Sequence, residues 1–126
     1  MLRNLGIAAA VFGAAAVALG AFGAHALRGE LDVAAIQVWH TAVEYQFWHA
    51  LALLAIAGFS PARDARWWRA SGLAFVVGIT LFCGSLYALA LGAPHWVGAI
   101  TPLGGICLIS GWLLLGLAFW CVAAKD

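Results

Sequence analysis

The stretch HTAVEYQFWHALALL, residues 40–54, decides the fold because it places polar side chains within a segment apolar enough to cross a membrane. Its second half, residues 47–54, is apolar apart from His49, whereas the first half carries His40, Glu44 and Gln46. Ionisable residues in membrane-spanning helices are rare and usually face other helices or a water-filled space rather than lipid. The stretch therefore predicts a membrane helix with one face covered by protein.

The composition of the whole chain also indicates a lipid environment. Of its 126 residues, 66% are hydrophobic and only 9% are charged, and the mean hydropathy is +1.02. Soluble domains are about 25% charged, and a soluble chain this short has too little interior for so many apolar side chains. Because the formal net charge is only +1, no basic surface for nucleic acid is indicated. We expect the lipid bilayer, and no nucleic acid, as a partner.

Four apolar segments, each close to the roughly 20 residues that cross a bilayer core, occupy residues 5–24, 33–59, 70–91 and 102–123. Their apolar runs are continuous rather than alternating, which argues against a β-barrel. The first run is longer than the roughly 7–15 apolar residues of a signal peptide, so we expect a retained helix. The sequence predicts an all-α membrane protein: a bundle of four transmembrane helices that forms a single domain over residues 1–126.

Small residues recur every seven positions along the first segment, in two parallel stripes: Gly6, Gly13 and Gly20, and Ala9, Ala16 and Gly23. Small side chains at such spacing let another helix approach closely. We therefore expect the Gly-rich helix faces to pack against neighbouring helices and to favour a homo-oligomer.

Polar residues from all four segments are expected to meet in one half of the bundle, which is the outer half under the orientation given below. At about 100° per residue, most polar groups of the second segment share half of its circumference, with Gln46 at the margin. We expect Glu44 to face the bundle and to form hydrogen bonds there. The candidate binding residues are His25, Thr41, Glu44, Tyr45, Gln46, His49, Ser85, Tyr87 and Thr101, with Gln37 and His40 at the same level.

The leading interpretation of this polar cluster is a structural network of hydrogen bonds between helices. The alternatives are a pocket for a lipid, quinone or other small amphiphile, a path for protons or a solute, and a metal site of His25, His40 and Glu44. The sequence has no H-E-x-x-H motif, phosphate loop or nucleotide fingerprint, and its three cysteines show no C-x-x-C spacing. We therefore expect no enzymatic activity, no catalytic residue, no cofactor and no resident metal.

Four motifs resemble the domain-of-unknown-function 423 family, a group of small bacterial inner-membrane proteins similar to animal transmembrane protein 256. They are GAFGAHAL (20–27), YQFWHALALL (45–54), LFCGSLYALAL (81–91) and ITPLGG with a following GW (100–112). The resemblance covers nearly the whole chain and implies a four-helix protein of the bacterial inner membrane, with no established reaction, substrate or cofactor. His40 and Glu44 fall outside these motifs, which weakens the interpretation as a metal site.

The positively charged residues set the expected orientation. The segments that would lie on one side of a four-span protein carry five of them: Arg3, Arg63, Arg66, Arg69 and Lys125. The opposite side carries only Arg28, beside two acidic residues. Because cytoplasmic segments are enriched in Lys and Arg, the sequence predicts that both termini lie in the cytoplasm.

This orientation can be tested with reporter fusions. A reporter that is active only in the cytoplasm should work when it is fused after Lys125, because both termini are predicted to lie inside. The same reporter fused after Pro94, between the third and fourth segments, should be inactive. A periplasmic reporter that is active after Lys125 would contradict the predicted orientation.

Overall fold

A computed structural model describes residues 1–60 and 66–123. The described residues form four α-helices, α1 (Leu2–His25), α2 (Val33–Phe59), α3 (Arg66–Ala90) and α4 (Ile100–Ala123), and a 3₁₀ helix, His95–Ala99. All four α-helices are long and apolar enough to cross a membrane, which confirms the predicted fold class. Arg63 and Lys125, two of the residues behind the predicted orientation, lie outside the described residues.

Three helices begin earlier than the apolar segments suggest, and the first of them, α1, starts at Leu2 rather than at residue 5. Helix α3 starts at Arg66 rather than at residue 70, because the sequence RWWR continues the helix to the level where charged side chains are exposed. Helix α4 starts at Ile100, directly after the 3₁₀ helix, rather than at residue 102. At the start of α2 the carboxylate of Asp32 accepts a hydrogen bond of 2.7 Å from the backbone N–H of Ala35, which is a typical N-terminal cap.

Successive helices run in opposite directions, so their ends form two groups. At one end, called the arginine end, Arg3, Arg66 and Arg69 are exposed and Gly6 of α1 packs on Ala57 of α2. The opposite end, called the loop end, holds residues 26–32 and 91–99. Helix α3 terminates at the loop end just before Gly92, whose φ of +90° is readily adopted only by glycine.

The bundle is open rather than closed. Helices α1 and α2 pack together, α3 and α4 pack together, and α2 packs on α3, so that α2 and α3 are central. In the part of the chain that the structure describes, no Cα atom of α4 comes within 8 Å of α1 or α2. Helix α2, the least hydrophobic of the four, is thus also among the most covered by protein.

Glycines provide the close contacts between helices. The predicted small stripe of α1 packs on α2 within the same chain, with Gly20 against Val43 and Gly23 against the indole of Trp39. Between α3 and α4, three glycines lie directly against a bulky residue of the other helix: Gly78 against Leu108, Gly104 against Phe82 and Gly111 against Phe75. Because lipid tails are as apolar as the side chains, such close packing, and not apolar burial, drives helix association in a membrane.

Replacing Gly104 with alanine tests this packing. The added Cβ would meet the backbone nitrogen and Cα of Phe82, which cannot rotate away, so α3 and α4 must separate. We expect a loss of about 1–3 kcal/mol in the free energy of unfolding, measured by circular dichroism in mixed micelles with increasing dodecyl sulfate.

Gly116→Ala is the matched control, because Gly116 lies on the same helix and a Cβ there would meet nothing within 4 Å. The gain in helix propensity from glycine to alanine is common to both variants and cancels in the comparison. Equal stability of the two variants would contradict the proposed contact.

Candidate functional site

One glutamine joins three helices near the middle of the bundle. Gln46 of α2 is 4% exposed. Its amide nitrogen donates a hydrogen bond of 2.8 Å to the carbonyl oxygen of Phe12 in α1, and its amide oxygen accepts one of 2.9 Å from the hydroxyl of Tyr87 in α3. The carbonyl of a helical residue has a second lone pair, so Phe12 can accept this bond without losing its own helical one. Both halves of the Gln46 amide are therefore paired.

A histidine links the central helix α2 to α4. His49 is 5% exposed, its Nδ1 donates to the carbonyl oxygen of Tyr45 at 2.6 Å, and its Nε2 accepts from the indole N–H of Trp112 at 3.1 Å. A carbonyl oxygen only accepts and an indole N–H only donates. The two partners therefore assign the neutral imidazole with its proton on Nδ1. The backbones of α2 and α4 are too far apart to pack directly, and the hydrogen bond between Trp112 and His49 spans the gap between them.

Aromatic rings surround His49. Its ring centroid lies 5.4 Å from that of Phe75, 5.9 Å from that of Tyr45 and 6.0 Å from that of Trp112. The rings of Tyr45, His49 and Trp112 form part of a cleft of about 460 Å³ between α2 and α4, open toward the surrounding membrane. The cleft is lined by Tyr45, Trp48, His49, Phe82, Gly105, Leu108, Ile109 and Trp112.

Three more hydrogen bonds connect neighbouring helices at other depths. Near the loop end, the hydroxyls of Ser85 and Thr101 lie 2.7 Å apart and link α3 to α4. The indole N–H of Trp39 donates to the carbonyl oxygen of Leu19 at 2.9 Å and links α2 to α1. Nearer the arginine end, the fully buried Ser71 hydroxyl donates to the carbonyl oxygen of Gly111 at 2.7 Å. Each pair of packed helices thus shares a side-chain hydrogen bond.

The structure brings together only some of the residues that the sequence predicted to cluster. It pairs Gln46 with Tyr87 and Ser85 with Thr101, and it stacks Tyr45 on His49. Three others are exposed: His25 at the end of α1, Thr41, whose hydroxyl donates to the carbonyl of Gln37 in its own helix, and Glu44.

The prediction that Glu44 faces the bundle is wrong. Gln46 and His49 mark the face of α2 that packs against the other helices. Glu44 lies two residues from Gln46, or about 200° around the helix, and therefore points away from that face. Its side chain lines a different groove, between α1 and α2. A helical wheel alone does not identify the buried face of α2, because polar residues occur on both of its faces.

The alternative metal site is not formed. His25, His40 and Glu44 are all exposed. Over residues 1–60 and 66–123, no three His, Cys, Asp or Glu side chains are close enough together to hold a metal ion.

Several participants were not identified from the sequence. Trp112, Trp39 and Ser71 each donate a hydrogen bond between helices, and Phe12 contributes only a backbone carbonyl. The indoles did carry a signal, because an indole N–H within a membrane-spanning segment needs an acceptor. Backbone carbonyl acceptors give no such signal in the sequence, because every helical residue has a carbonyl oxygen.

The sequence of the chain matches a known protein family. The family described as "Protein of unknown function (DUF423)" matches residues 19–105. The chain belongs to the DUF423 family. The matched range contains seven residues whose side chains form the bonds between helices described above: Trp39, Gln46, His49, Ser71, Ser85, Tyr87 and Thr101. The Trp112 side chain and the backbone acceptors Phe12 and Gly111 lie outside it.

Relatives named UPF0382 membrane proteins cover most of the chain. The chain is 44% identical to the UPF0382 membrane protein YwdK of Bacillus subtilis, over 82% of this chain and 85% of the relative. It is 46% identical to a UPF0382 membrane protein of Haemophilus influenzae, over 79% of each. The UPF0382 inner membrane protein YgdD of Escherichia coli is 39% identical over 90% of this chain and 86% of its own length. No solved structure matches the chain.

These relatives and the four spanning helices together show that this DUF423 protein is a multi-pass protein of the inner (plasma) membrane. The similarity to this family points to no particular reaction, substrate or ligand, because the family is described as one of unknown function.

The Gln46 junction can be tested by a double-mutant cycle. Gln46→Leu should lower the free energy of unfolding by about 1–3 kcal/mol, because it removes two hydrogen bonds and leaves the Tyr87 hydroxyl without its acceptor. Combined with Tyr87→Phe, the two changes should be non-additive by about 0.6 kcal/mol, the mean for such pairs in a membrane.

Thr80→Val serves as the control for this cycle. The Thr80 hydroxyl is exposed and donates only to the carbonyl of Val76 in its own helix, so its loss should change stability by less than about 0.5 kcal/mol. Strict additivity of Gln46→Leu and Tyr87→Phe would argue against the bond between them.

Proposed function

We propose that this protein is a non-enzymatic membrane protein in which the buried polar groups form a structural network, while the cleft between α2 and α4 binds a small amphiphile. The observation that supports a binding role is the cleft itself, about 460 Å³ between two helices whose side chains meet through the His49–Trp112 bond. Helices in a membrane normally close such a space by packing directly. Here the hydrogen bond holds α4 beside α2 at a distance.

The pairing of the polar groups supports a structural role for the network. Gln46 has both amide atoms engaged, and His49 has both ring nitrogens engaged, by groups of the same chain. A general base or nucleophile needs a free lone pair directed at a substrate. Unpaired polar groups in hydrocarbon are costly, so a fully paired network stabilises the helix arrangement without offering reactive atoms.

Two polar groups of the residues that line the cleft support a ligand that is amphiphilic rather than purely apolar. The hydroxyl of Tyr45 and the indole N–H of Trp48 have no hydrogen-bond partner among the residues that the structure describes, and Phe82 and Leu108 supply an apolar wall. Pockets for small molecules are typically mostly apolar with a few polar groups that fix orientation. A lipid or a quinone-like ring fits this description.

A path for protons or solute has less support. Toward the arginine end, the buried polar groups of the described residues do not form a chain of hydrogen bonds: the Ser71 hydroxyl is engaged by the carbonyl of Gly111, and the Ser60 hydroxyl and the Trp68 indole N–H have no partner. A conducting path requires polar groups or water continuing across the membrane. The cleft is therefore proposed as a binding site and not as a channel.

Filling the cleft should abolish binding. In Gly105→Leu the new side chain would project toward Phe82, whose nearest ring atom lies 3.8 Å from a Cβ built at Gly105. Native mass spectrometry of the purified protein should show a co-purified amphiphile on the unmodified chain. Its occupancy should fall by at least about tenfold in the variant, since the side chain takes the ligand's volume.

Gly116→Leu is the matched control, because it adds the same side chain to the same helix at a position with open surroundings. Retention of the ligand in Gly116→Leu and its loss in Gly105→Leu would support the site. Equal occupancy in both variants, or no bound molecule on the unmodified chain, would contradict it.

A further inference from the structure

The face of α2 opposite the bundle carries an uncovered polar surface. It is called the Glu44 face and consists of exposed residues that share a sector of about 100° on the helix. They are Gln37, His40, Thr41, Glu44, Trp48 and Leu51. Among the described residues, the Glu44 carboxylate has no hydrogen-bond or ion-pair partner, because α1 and α3 pack against the other face of α2.

Glu44 lies within the hydrocarbon layer. It lines a groove of about 350 Å³ together with Ala16, Gly20 and Ala21 of α1. These three residues precede the end of α1 at His25 by four to nine positions, or roughly 6–14 Å along the helix axis. The apolar run of α1 ends one residue before His25, so Glu44 is well below the headgroup layer.

A carboxylate at this depth requires a partner. Acidic residues in membrane spans almost always face the protein interior or a water-filled cavity and pair with one another or with donors. The fold directs Glu44 the other way, toward lipid. The partner must therefore come from another molecule that reaches the same depth.

We propose that the partner is a second copy of this chain, bound face to face through the Glu44 face. The face is self-complementary, because it carries the acceptor Glu44 and, one helical turn nearer the loop end, the donor imidazole of His40. In a dimer with its two-fold axis along the membrane normal, the two α2 helices run parallel with equivalent residues at the same depth. Each Glu44 then lies about 6 Å deeper than His40 of the other copy, and the two side chains bridge this one helical turn in both directions across the axis.

The groove beside the Glu44 face favours a helix as the occupant. Its α1 wall is made of small side chains, Ala16, Gly20 and Ala21, which permit close approach of another helix. The cationic headgroup of a lipid would have to descend several ångströms into hydrocarbon to reach Glu44, which is unfavourable. A second copy holds His40 within one helical turn of the depth of Glu44, because His40 belongs to a spanning helix.

The Glu44 face and the cleft share one residue, Trp48. Gln46 and His49 lie on the opposite side of α2, and the cleft opens between α2 and α4. Substitutions of His40 or Glu44, which do not line the cleft, therefore test dimerisation separately from ligand binding.

The dimer can be measured by fluorescence energy transfer between labelled copies in liposomes of increasing lipid-to-protein ratio. Glu44→Leu should weaken association by about tenfold or more, since two symmetric hydrogen bonds are lost. His40→Leu should cause a comparable loss, and the double variant should be no weaker than either. Glu44→Gln should keep the monomer fold and lose less affinity, because the amide still accepts a hydrogen bond.

Thr80→Leu is the control for replacing an exposed polar residue in a span, because Thr80 lies on α3 away from the Glu44 face. It should leave association unchanged. In a chain whose Cys83, Cys107 and Cys121 are replaced by alanine, Leu51→Cys should form disulfide-linked dimers in the membrane, and Ile106→Cys on α4 should not.

Three results would overturn the proposal. They are a monomer at every lipid ratio, cross-linking of Ile106→Cys as efficient as that of Leu51→Cys, or unchanged association of Glu44→Leu. Loss of a bound amine-containing phospholipid in Glu44→Leu, with no change in association, would identify a lipid as the occupant instead.

Discussion

The arrangement of this protein depends on one constraint: in hydrocarbon, a polar side chain must find its hydrogen-bond partner within protein. Gln46 illustrates the constraint most fully, because its amide accepts from Tyr87 of α3 and donates to the Phe12 carbonyl of α1. Without an aqueous alternative, the helices are held where these partners are. The remaining bonds extend the same principle toward both ends, from Trp39 at the loop end to Ser71 near the arginine end.

Close packing and hydrogen bonding act at the same positions. The carbonyl oxygen of Gly111 accepts a hydrogen bond from Ser71. Because Gly111 has no side chain, the ring of Phe75 packs directly against it. Where α4 carries Gly104, the backbone of α3 at Phe82 approaches directly. In water such helices would associate through apolar burial, whereas in lipid these short contacts have to supply the attraction. The family likeness of the chain extends over most of both helical hairpins.

The number of helices and the class of fold were predictable from sequence, because membrane spans are recognised by length and apolarity alone. The stripe on α1 also predicted a packed face, and the structure uses it against α2. The site was only partly predictable. A helical wheel separates the directions of Glu44 and Gln46 but does not say which one faces the bundle, since both are polar. The backbone carbonyls of Phe12 and Gly111 could not be identified as acceptors from sequence, because every residue has such a carbonyl. The wide spacing between α4 and α2 could not be predicted either, because it depends on how both helices pack on α3.

The order of packing along the chain has a consequence for biosynthesis. The main helix interfaces join elements that are consecutive in sequence: α1 with α2, α2 with α3, and α3 with α4. Each helix that leaves the ribosome therefore finds its principal neighbour already inserted. The exception is the bond from Trp112 to His49, which joins α4 to α2 and can form only after the last helix has been inserted. Such a chain can assemble vectorially as it is synthesised, from the N-terminus onward.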